Sequence, residues 1–506
     1  MGHWNRDIVT LARRVPASAE PMARGVVNFV GGPRGRFSRG GASAGTPLLA
    51  ITAFAWTFLA LGFLSKANCA GGWRGDDGIV HLDWSGNRQY ISACYNDIVP
   101  LFGGRGLDQG GFPYAYSWVE GDLTRYMEYP VLAGLFQGAV AWASRLSYPV
   151  VEWAGVPLAG WYFAVTALVM SVFWVATVLL VSQLLGNRIW DAVLVAASPL
   201  VIVHAFTNWD LMSIFFAVVA MWLAARKKMA WAGVAIGLGT AFKLWPLFLL
   251  GAYLVLAVRH KKIAPWGVMV GSAAASWMVV NFPVALAYPQ AWGEFYRLNS
   301  TRGAEWTTIY AMFNRVTGVG LPVDFLNTFS LLGFLACCVA IGIFGLKARR
   351  TPRVAELVYL ILAAFLLFNK VWSPQYSLWL LVPAVLALPR WRLVFAWGVA
   401  DALLWPILML HMMGTENKGL PQEFLDAAVL ARDGLIIAMA VIIIRQMLGK
   451  ARDKVAVAHA GMDLLAGPWG GHRLSSDAAP VPNPAPTPAA ASEPASPGEA
   501  TTDTKA

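Results

Sequence analysis

Runs of about 20 apolar residues, each long enough to cross the hydrocarbon core of a bilayer, recur along most of this chain. Thirteen segments show the pattern, at about 46–66, 129–146, 160–186, 188–206, 208–225, 229–242, 243–258, 264–287, 325–346, 354–370, 375–389, 392–411 and 425–446. Inside a bilayer each segment must satisfy its own backbone N–H and C=O groups, so the pattern predicts an all-α polytopic membrane protein. Most polar interruptions are short. The exception runs from Ser65 to Glu128 and carries eight carboxylates (Asp76, Asp77, Asp83, Asp97, Asp108, Glu120, Asp122 and Glu128) against five Lys and Arg.

Basic residues cluster beside the apolar runs, at Arg226-Lys227-Lys228, Arg259 to Lys262, Lys347 to Arg353 and Arg390 to Arg392, the distribution expected of cytoplasmic loops. The Arg-rich start and the Lys450, Arg452 and Lys454 group at the other end place both termini inside, which requires an even number of crossings. Segment 129–146 opens on Tyr129-Pro130 and contains Gln137 and Arg145, so it is assigned to a helix along the outer membrane surface. About twelve transmembrane helices remain. The organisation expected is a disordered cytoplasmic Arg/Gly-rich tail at 1–45, a transmembrane domain at 46–446 whose outer loop is 65–146, and a disordered cytoplasmic Pro/Ala-rich tail at 447–506.

Composition narrows the class further. With 57% hydrophobic and 13% charged residues the chain is not a soluble domain, and the net charge of +11 reflects the loop clusters rather than a nucleic-acid surface. Cys337 and Cys338 fall inside an apolar span as packing residues. Cys69 and Cys94 both lie in the first loop, and if it faces an oxidising compartment they are candidates for a disulfide. The seven His form no His-x-x-x-His pair, and Asp76-Asp77 alone is a weak cation signal, so no metal or other cofactor is expected. There is no Walker loop and no dinucleotide fingerprint.

By the charge pattern, the polar features within the bundle face the same side as the acidic loop. Asp97, in Cys94-Tyr95-Asn96-Asp97-Ile98, is a candidate general base for a sugar hydroxyl, with a helix cap or a solvated loop acid as the alternative. Glu128 is a candidate for orienting an acceptor or holding Arg125. Lys243 stands between two apolar halves, where an ammonium is costly unless paired or reached by water; a lipid phosphate is the natural partner, and snorkelling is the alternative. Asp210, in Asn208-Trp209-Asp210, reads equally as a helix N-cap and as a functional acid. Lys370 and Gln375 are expected at one cavity mouth. Arg302 is placed to clamp phosphate through its planar fork. Tyr114, Trp118 and Trp306 are candidates for stacking on sugar rings.

Three pieces carry a family resemblance: Tyr129-Pro130, the hairpin Gly237 to Pro246 centred on Lys243, and Ser373-Pro374-Gln375-Tyr376. Together with the acidic outer loop they make residues 46–446 resemble GT-C glycosyltransferases, and most closely the polyprenol-phosphate-mannose-dependent mannosyltransferases of glycosyltransferase family 87. Pro130 is followed by Val131, where family members commonly carry a second proline. The resemblance implies a GT-C fold with membrane-surface helices in the first loop. It implies inverting transfer of a hexose, usually mannose, from a polyprenyl-phosphate donor to a glycan or glycolipid acceptor outside the cell membrane. It also implies that an acidic residue of the first outer loop is the base, a role that falls on Asp97. On the chemistry of the residues themselves, the donor phosphate sits near Lys243 and Lys370 or Arg302, and Glu128, Asp210, Tyr129 and Gln375 are candidates for acceptor binding or orientation. The competing classes are a transporter or flippase of a lipid-linked sugar, and a noncatalytic scaffold for envelope assembly. A transporter predicts an internal repeat between halves, and the long first loop has no counterpart in the second half.

Overall fold

The computed structural model describes residues 21–30, 45–76, 80–459 and 461–470. The remaining stretches of both expected tails, and Asp77 of the Asp76-Asp77 pair, lie outside the described residues.

The chain is a multi-pass membrane protein. Helix α1 (Pro21–Val30) precedes α2 (Gly45–Ala67), whose Ile51, Ala55 and Leu59 recur every fourth residue and are buried against its neighbours. Its opposite face exposes Trp56, Leu61 and Leu64, as a helix bordered by hydrocarbon does. Strands β1 (Gly72–Arg74) and β2 (Val80–Leu82) pair antiparallel, followed by α3 (Ile98–Gly104) and the hairpin of β3 (Ser117–Glu120) with β4 (Leu123–Tyr126). Two small hairpins thus depart from the all-α expectation, both within the outer loop. A disulfide joins Cys69 to Cys94. It closes the expected cysteine pair and ties the end of α2 to the segment that carries Asp97.

The bundle continues with α4 (Val131–Ser147), α5 (Leu158–Leu184), α6 (Pro199–His204), α7 (Asp210–Ala225), α8 (Met229–Phe242), α9 (Leu249–Arg259) and α10 (Ala264–Ala287). After α11 (Pro289–Thr301) and α12 (Ile309–Thr317) come α13 (Val323–Lys347), α14 (Val354–Phe368), α15 (Ser377–Ala387), α16 (Trp391–Met412), α17 (Gln422–Met447) and the short α18 (Lys454–Ala458).

Among the described residues six helices are long and apolar enough to cross a membrane: α2, α5, α10, α13, α16 and α17. Five shorter apolar stretches, Asp210–Ala225, Met229–Phe242, Trp245–Arg259, Val354–Phe368 and Pro374–Ala387, account for most of the other expected spans. The segment expected at 188–206 is broken into a 3-10 turn, one helical turn at Val193–Ala196, and α6, which starts at Pro199 behind the cap of Ser198. Broken and short helices are tolerated at membrane depth only where other protein buries their ends. That is the case here: all residues of α15 are buried, and α7, α8 and α14 bury most of theirs. Gly233 and Gly237 of α8 explain one close approach. A Cβ at either would collide with the α10 carbonyls of Met269 and Ala273, so small residues four apart let two backbones meet.

Residues 450–470, assigned from sequence to a structureless tail, fold back against the bundle. Asp453 caps α18 and meets Arg353 Nε at 3.0 Å, Asp463 accepts the Val354 N–H at 2.8 Å, and Trp469 Nε1 donates to the Lys262 carbonyl at 2.9 Å. Arg353, 1% exposed, also meets Glu356 at 3.2 Å. Breaking a buried ion pair leaves an uncompensated charge that costs about 3–5 kcal/mol. Arg353→Met is therefore expected to lower the melting temperature of the detergent-solubilised protein by several degrees. Activity per folded molecule should hold, because the cluster is remote from the residues described next.

Candidate active site

The helix breaks converge on one place. Asp97 precedes α3, and its carboxylate does not cap that helix. Asn96 does so instead, its Oδ1 accepting the Val99 N–H at 2.9 Å. The Asp97 carboxylate is left to accept the Tyr95 hydroxyl at 3.0 Å and the Asn208 amide at 2.7 Å, while its own N–H donates to the Thr207 carbonyl at 2.8 Å. The capping alternative therefore fails for Asp97. The residue is half-buried. Burial pushes its carboxyl above the usual range, against the opposing pull of the Asn208 and Tyr95 hydrogen bonds and the Lys243 ammonium.

Asn208 links two halves of the site. The amide nitrogen that bonds Asp97 also donates to the Tyr129 hydroxyl at 2.9 Å, and its Oδ1 accepts the Trp209 N–H at 2.7 Å. With all three bonds made, the amide has one orientation. Tyr129 is equally constrained. Pro130 restricts it to extended backbone and begins α4, the Tyr114 hydroxyl donates to its carbonyl at 2.9 Å, and its ring meets the Trp209 ring edge at 5.2 Å.

Asp210 likewise does not cap its helix. One oxygen accepts Trp379 Nε1 at 2.8 Å and the other lies 3.7 Å from Lys243 Nζ. That distance describes an ion pair rather than a hydrogen bond, so the ammonium keeps its protons for another anion. Lys243 ends α8 in extended conformation, is 8% exposed, and lies 5.2 Å and 5.6 Å from the ring centroids of Tyr129 and Tyr376. An ammonium this enclosed, paired to a buried carboxylate, excludes the snorkelling alternative. Tyr376 stacks on Trp379 at 3.9 Å, which joins the Ser373 to Tyr376 turn to the same cluster.

Two outer segments complete it. Lys370 Nζ donates to the Arg302 carbonyl at 2.6 Å, and the Glu305 N–H donates to the Lys370 carbonyl at 2.8 Å, a reciprocal latch between loop and turn. Arg302 pairs with Glu305. Burial and the Arg302 guanidinium pull the Lys370 ammonium below its ordinary value. Burial pushes the Glu305 carboxyl up, Arg302 opposes this, and the Asp97 charge adds to it.

Beside this cluster lies a cavity of about 660 Å³, lined by Tyr129, Pro130, Leu244, Trp277, Trp292 and Lys370 among others. Its walls are mostly apolar, with Lys370, Asn369, Asn281, Asn299 and Tyr129 among its polar points. Such a cavity suits a ligand with a long apolar part and an anionic head.

Several sequence expectations are corrected. Glu128 does not hold Arg125; it is paired in two-pronged fashion by Arg105, at 2.7 Å to Nε and 2.5 Å to Nη2, while Arg125 serves Glu120 and Glu294. Gln375 is buried in its turn and does not line the cavity. Tyr114 is 1% exposed and lines the cavity, so it is not a platform on the aqueous side, and Arg105 covers the Trp118 ring at 4.2 Å. Trp306 stays 45% exposed. Tyr95, Glu305 and Trp379 were missed, and Asn208 was read only as part of a capping group. The available signal was Asn208 and Asp210 two apart at a helix start, which puts both side chains at one break. No group of His, Cys, Asp and Glu able to hold a metal ion occurs among the described residues.

The sequence model of Glycosyltransferase family 87 matches residues 129–374. Among curated proteins, GPI mannosyltransferase 1 of Kluyveromyces lactis is 23% identical over 240 residues, 45% of this chain and 58% of that protein. The match thus spans less than two thirds of that relative. Among solved structures, the crystal structure of ArnT from Cupriavidus metallidurans bound to undecaprenyl phosphate covers 79% of this chain and 78% of its own, at 12% identity and a TM-score of 0.39.

Proposed function

We propose, from the premise that this chain is a membrane glycosyltransferase of the family 87 type matched over residues 129–374, that it transfers a hexose, mannose, from a polyprenyl-phosphate donor to an extracytoplasmic glycan or glycolipid with inversion. The observation that carries this reading is that one amide, Asn208, holds both the half-buried Asp97 carboxylate and the Tyr129 hydroxyl, while the Tyr129 ring lines an apolar cavity and lies 5.2 Å from the enclosed Lys243 ammonium. The mannosyl preference is supported by the mannosyltransferase relative.

In this reading the isoprenoid chain lies in the cavity, with its phosphate toward Lys243 and Lys370. The acceptor hydroxyl approaches Asp97 from the aqueous side. Its oxygen attacks the anomeric carbon as its proton passes to Asp97. The bond from that carbon to the phosphate oxygen breaks, and its electron pair leaves with the phosphate. Lys243 then faces the growing charge, where a fixed cation in a water-poor site is most effective. Arg302 acts through its Glu305 pair and its latch to Lys370 rather than as a free clamp.

The test is transfer of radiolabelled mannose from polyprenyl-phosphate mannose by purified protein in lipid vesicles, with the product's anomeric configuration read by NMR. Transfer with inversion supports the reading. Retention, or no transfer alongside undetectable polyprenyl-phosphate binding, overturns it.

A further inference from the structure

Tyr129 has a hydroxyl whose chemistry the sequence assignment toward the acceptor does not explain. It is half-buried and lines the cavity. Its oxygen accepts from Asn208, and among the described residues that amide is its single hydrogen-bond partner. A phenol that accepts one hydrogen bond still has its own O–H to donate. The ring is fixed by Pro130, the Tyr114 bond and the Trp209 edge, so the hydroxyl is not free to turn back into the protein.

The Lys243 ammonium lies 5.2 Å from the ring centroid of the same residue. A neutral donor that lines an apolar cavity, with a cation against its ring, forms an oxyanion-binding pair. Asp97 is one amide away, bound to the same Asn208 nitrogen. The nucleophile-activating acid and the leaving-group donor are thereby held at a fixed separation by a single side chain.

We propose that Tyr129 is a catalytic residue on the donor side, its phenolic O–H donating a hydrogen bond to the phosphate oxygen that departs from the anomeric carbon, and that Asn208 is the positioning residue that fixes Tyr129 relative to Asp97. The inference rests on the lipid-phosphate donor proposed above and deepens it. No proton leaves Tyr129. As the sugar–phosphate bond breaks, the oxygen gains the electron pair and the hydrogen bond shortens, while the acceptor's proton rides on Asp97 until product release passes it to water. Donation from an uncharged acid suits this position, because it adds no further repulsion to the Lys243 and Lys370 ammonium groups.

The test compares Tyr129→Phe, Tyr129→3-fluorotyrosine and Asn208→Leu with wild type in the vesicle assay, alongside direct binding of polyprenyl phosphate. Tyr129→Phe is expected to lower kcat about 10- to 100-fold, the range for a lost hydrogen bond to a charged oxygen, with the acceptor KM unchanged. Inhibition by polyprenyl phosphate should weaken several-fold. The fluorinated phenol is the stronger donor and should keep or raise kcat, which a purely structural tyrosine would not do. Asn208→Leu should lower kcat and also move the acidic limb of the pH profile upward, because Asp97 loses a donor to its charged form. Wild-type transfer with Tyr129→Phe within twofold of it, or with only the acceptor KM raised, overturns the inference and leaves the proposed function standing. A wild type that binds no polyprenyl phosphate overturns both.

Discussion

Asp97→Asn is expected to reduce transfer by about 10²- to 10⁴-fold, the contribution typical of a positioned general base, while polyprenyl-phosphate binding stays within a few-fold of wild type. The substitution keeps shape; its carbonyl oxygen can still accept from Asn208 and its amide nitrogen can donate to the Tyr95 hydroxyl, so the protein should fold normally. Only the proton acceptor is removed. The pH dependence follows from the same group. Burial holds its pKa above the ordinary carboxylate value of about 4, and in the proposed reaction the active form is the carboxylate. Transfer should therefore be full above the raised pKa and fall as the pH drops through it, with a limb displaced upward from that of a solvated aspartate. A rate profile flat down to about pH 4, or Asp97→Asn at wild-type rate, would remove Asp97 from the role. The noncatalytic scaffold class predicts no transfer by the wild type, so the same assay addresses it.

Lys243→Met carries the second large effect, because in the proposed reaction it removes a cation from where leaving-group charge grows, and it leaves Asp210 buried beside a thioether. The expected loss in kcat is about 10²- to 10³-fold by analogy with deleting one oxyanion donor. A separate stability cost of about 3–5 kcal/mol comes from stranding one member of a buried pair. The two parts can be separated. Lys243→Met with Asp210→Asn should restore the melting temperature, since neither charge remains, and the amide still meets Trp379. Activity should not return. Recovery of both together would mean that Lys243 serves only to neutralise Asp210. Lys370→Met should have a smaller effect on rate, because its ammonium is already engaged by the Arg302 carbonyl.

Much of this protein was legible one residue at a time. The apolar runs announced the helices, and the charge clusters beside them announced the membrane. Cys69 and Cys94 announced a disulfide that does form. Lys243 stood out because a lysine between two apolar halves must be paired, and Asp97 stood out through its aromatic and apolar frame. The family resemblance rested on Tyr129-Pro130 and the Lys243 hairpin, both inside the matched region. The shorter helices were less legible. Hydropathy counts apolar residues without regard to where a helix ends, so segments such as 188–206 read as spans although Ser198-Pro199 restarts the helix.

What the sequence determined by itself is the set of local facts that burial and backbone chemistry impose: which stretches are apolar enough for lipid, where prolines and polar residues stop them, and which charges are too costly to leave alone. What only the tertiary structure decided is pairing. Asp97 and Asp210 each looked like a helix cap, and both were released from capping, one because Asn96 took the Val99 N–H and the other because Trp379 and Lys243 claimed its oxygens. Glu128 found Arg105 instead of the nearer Arg125 because Glu120 and Glu294 already held the latter. Asn208 joined Asp97 to Tyr129 across 111 and 79 residues of chain. Hydrogen bonds and ion pairs act over a few ångströms in space and carry no record of sequence separation, so partners this far apart become known only when the helices between them are packed.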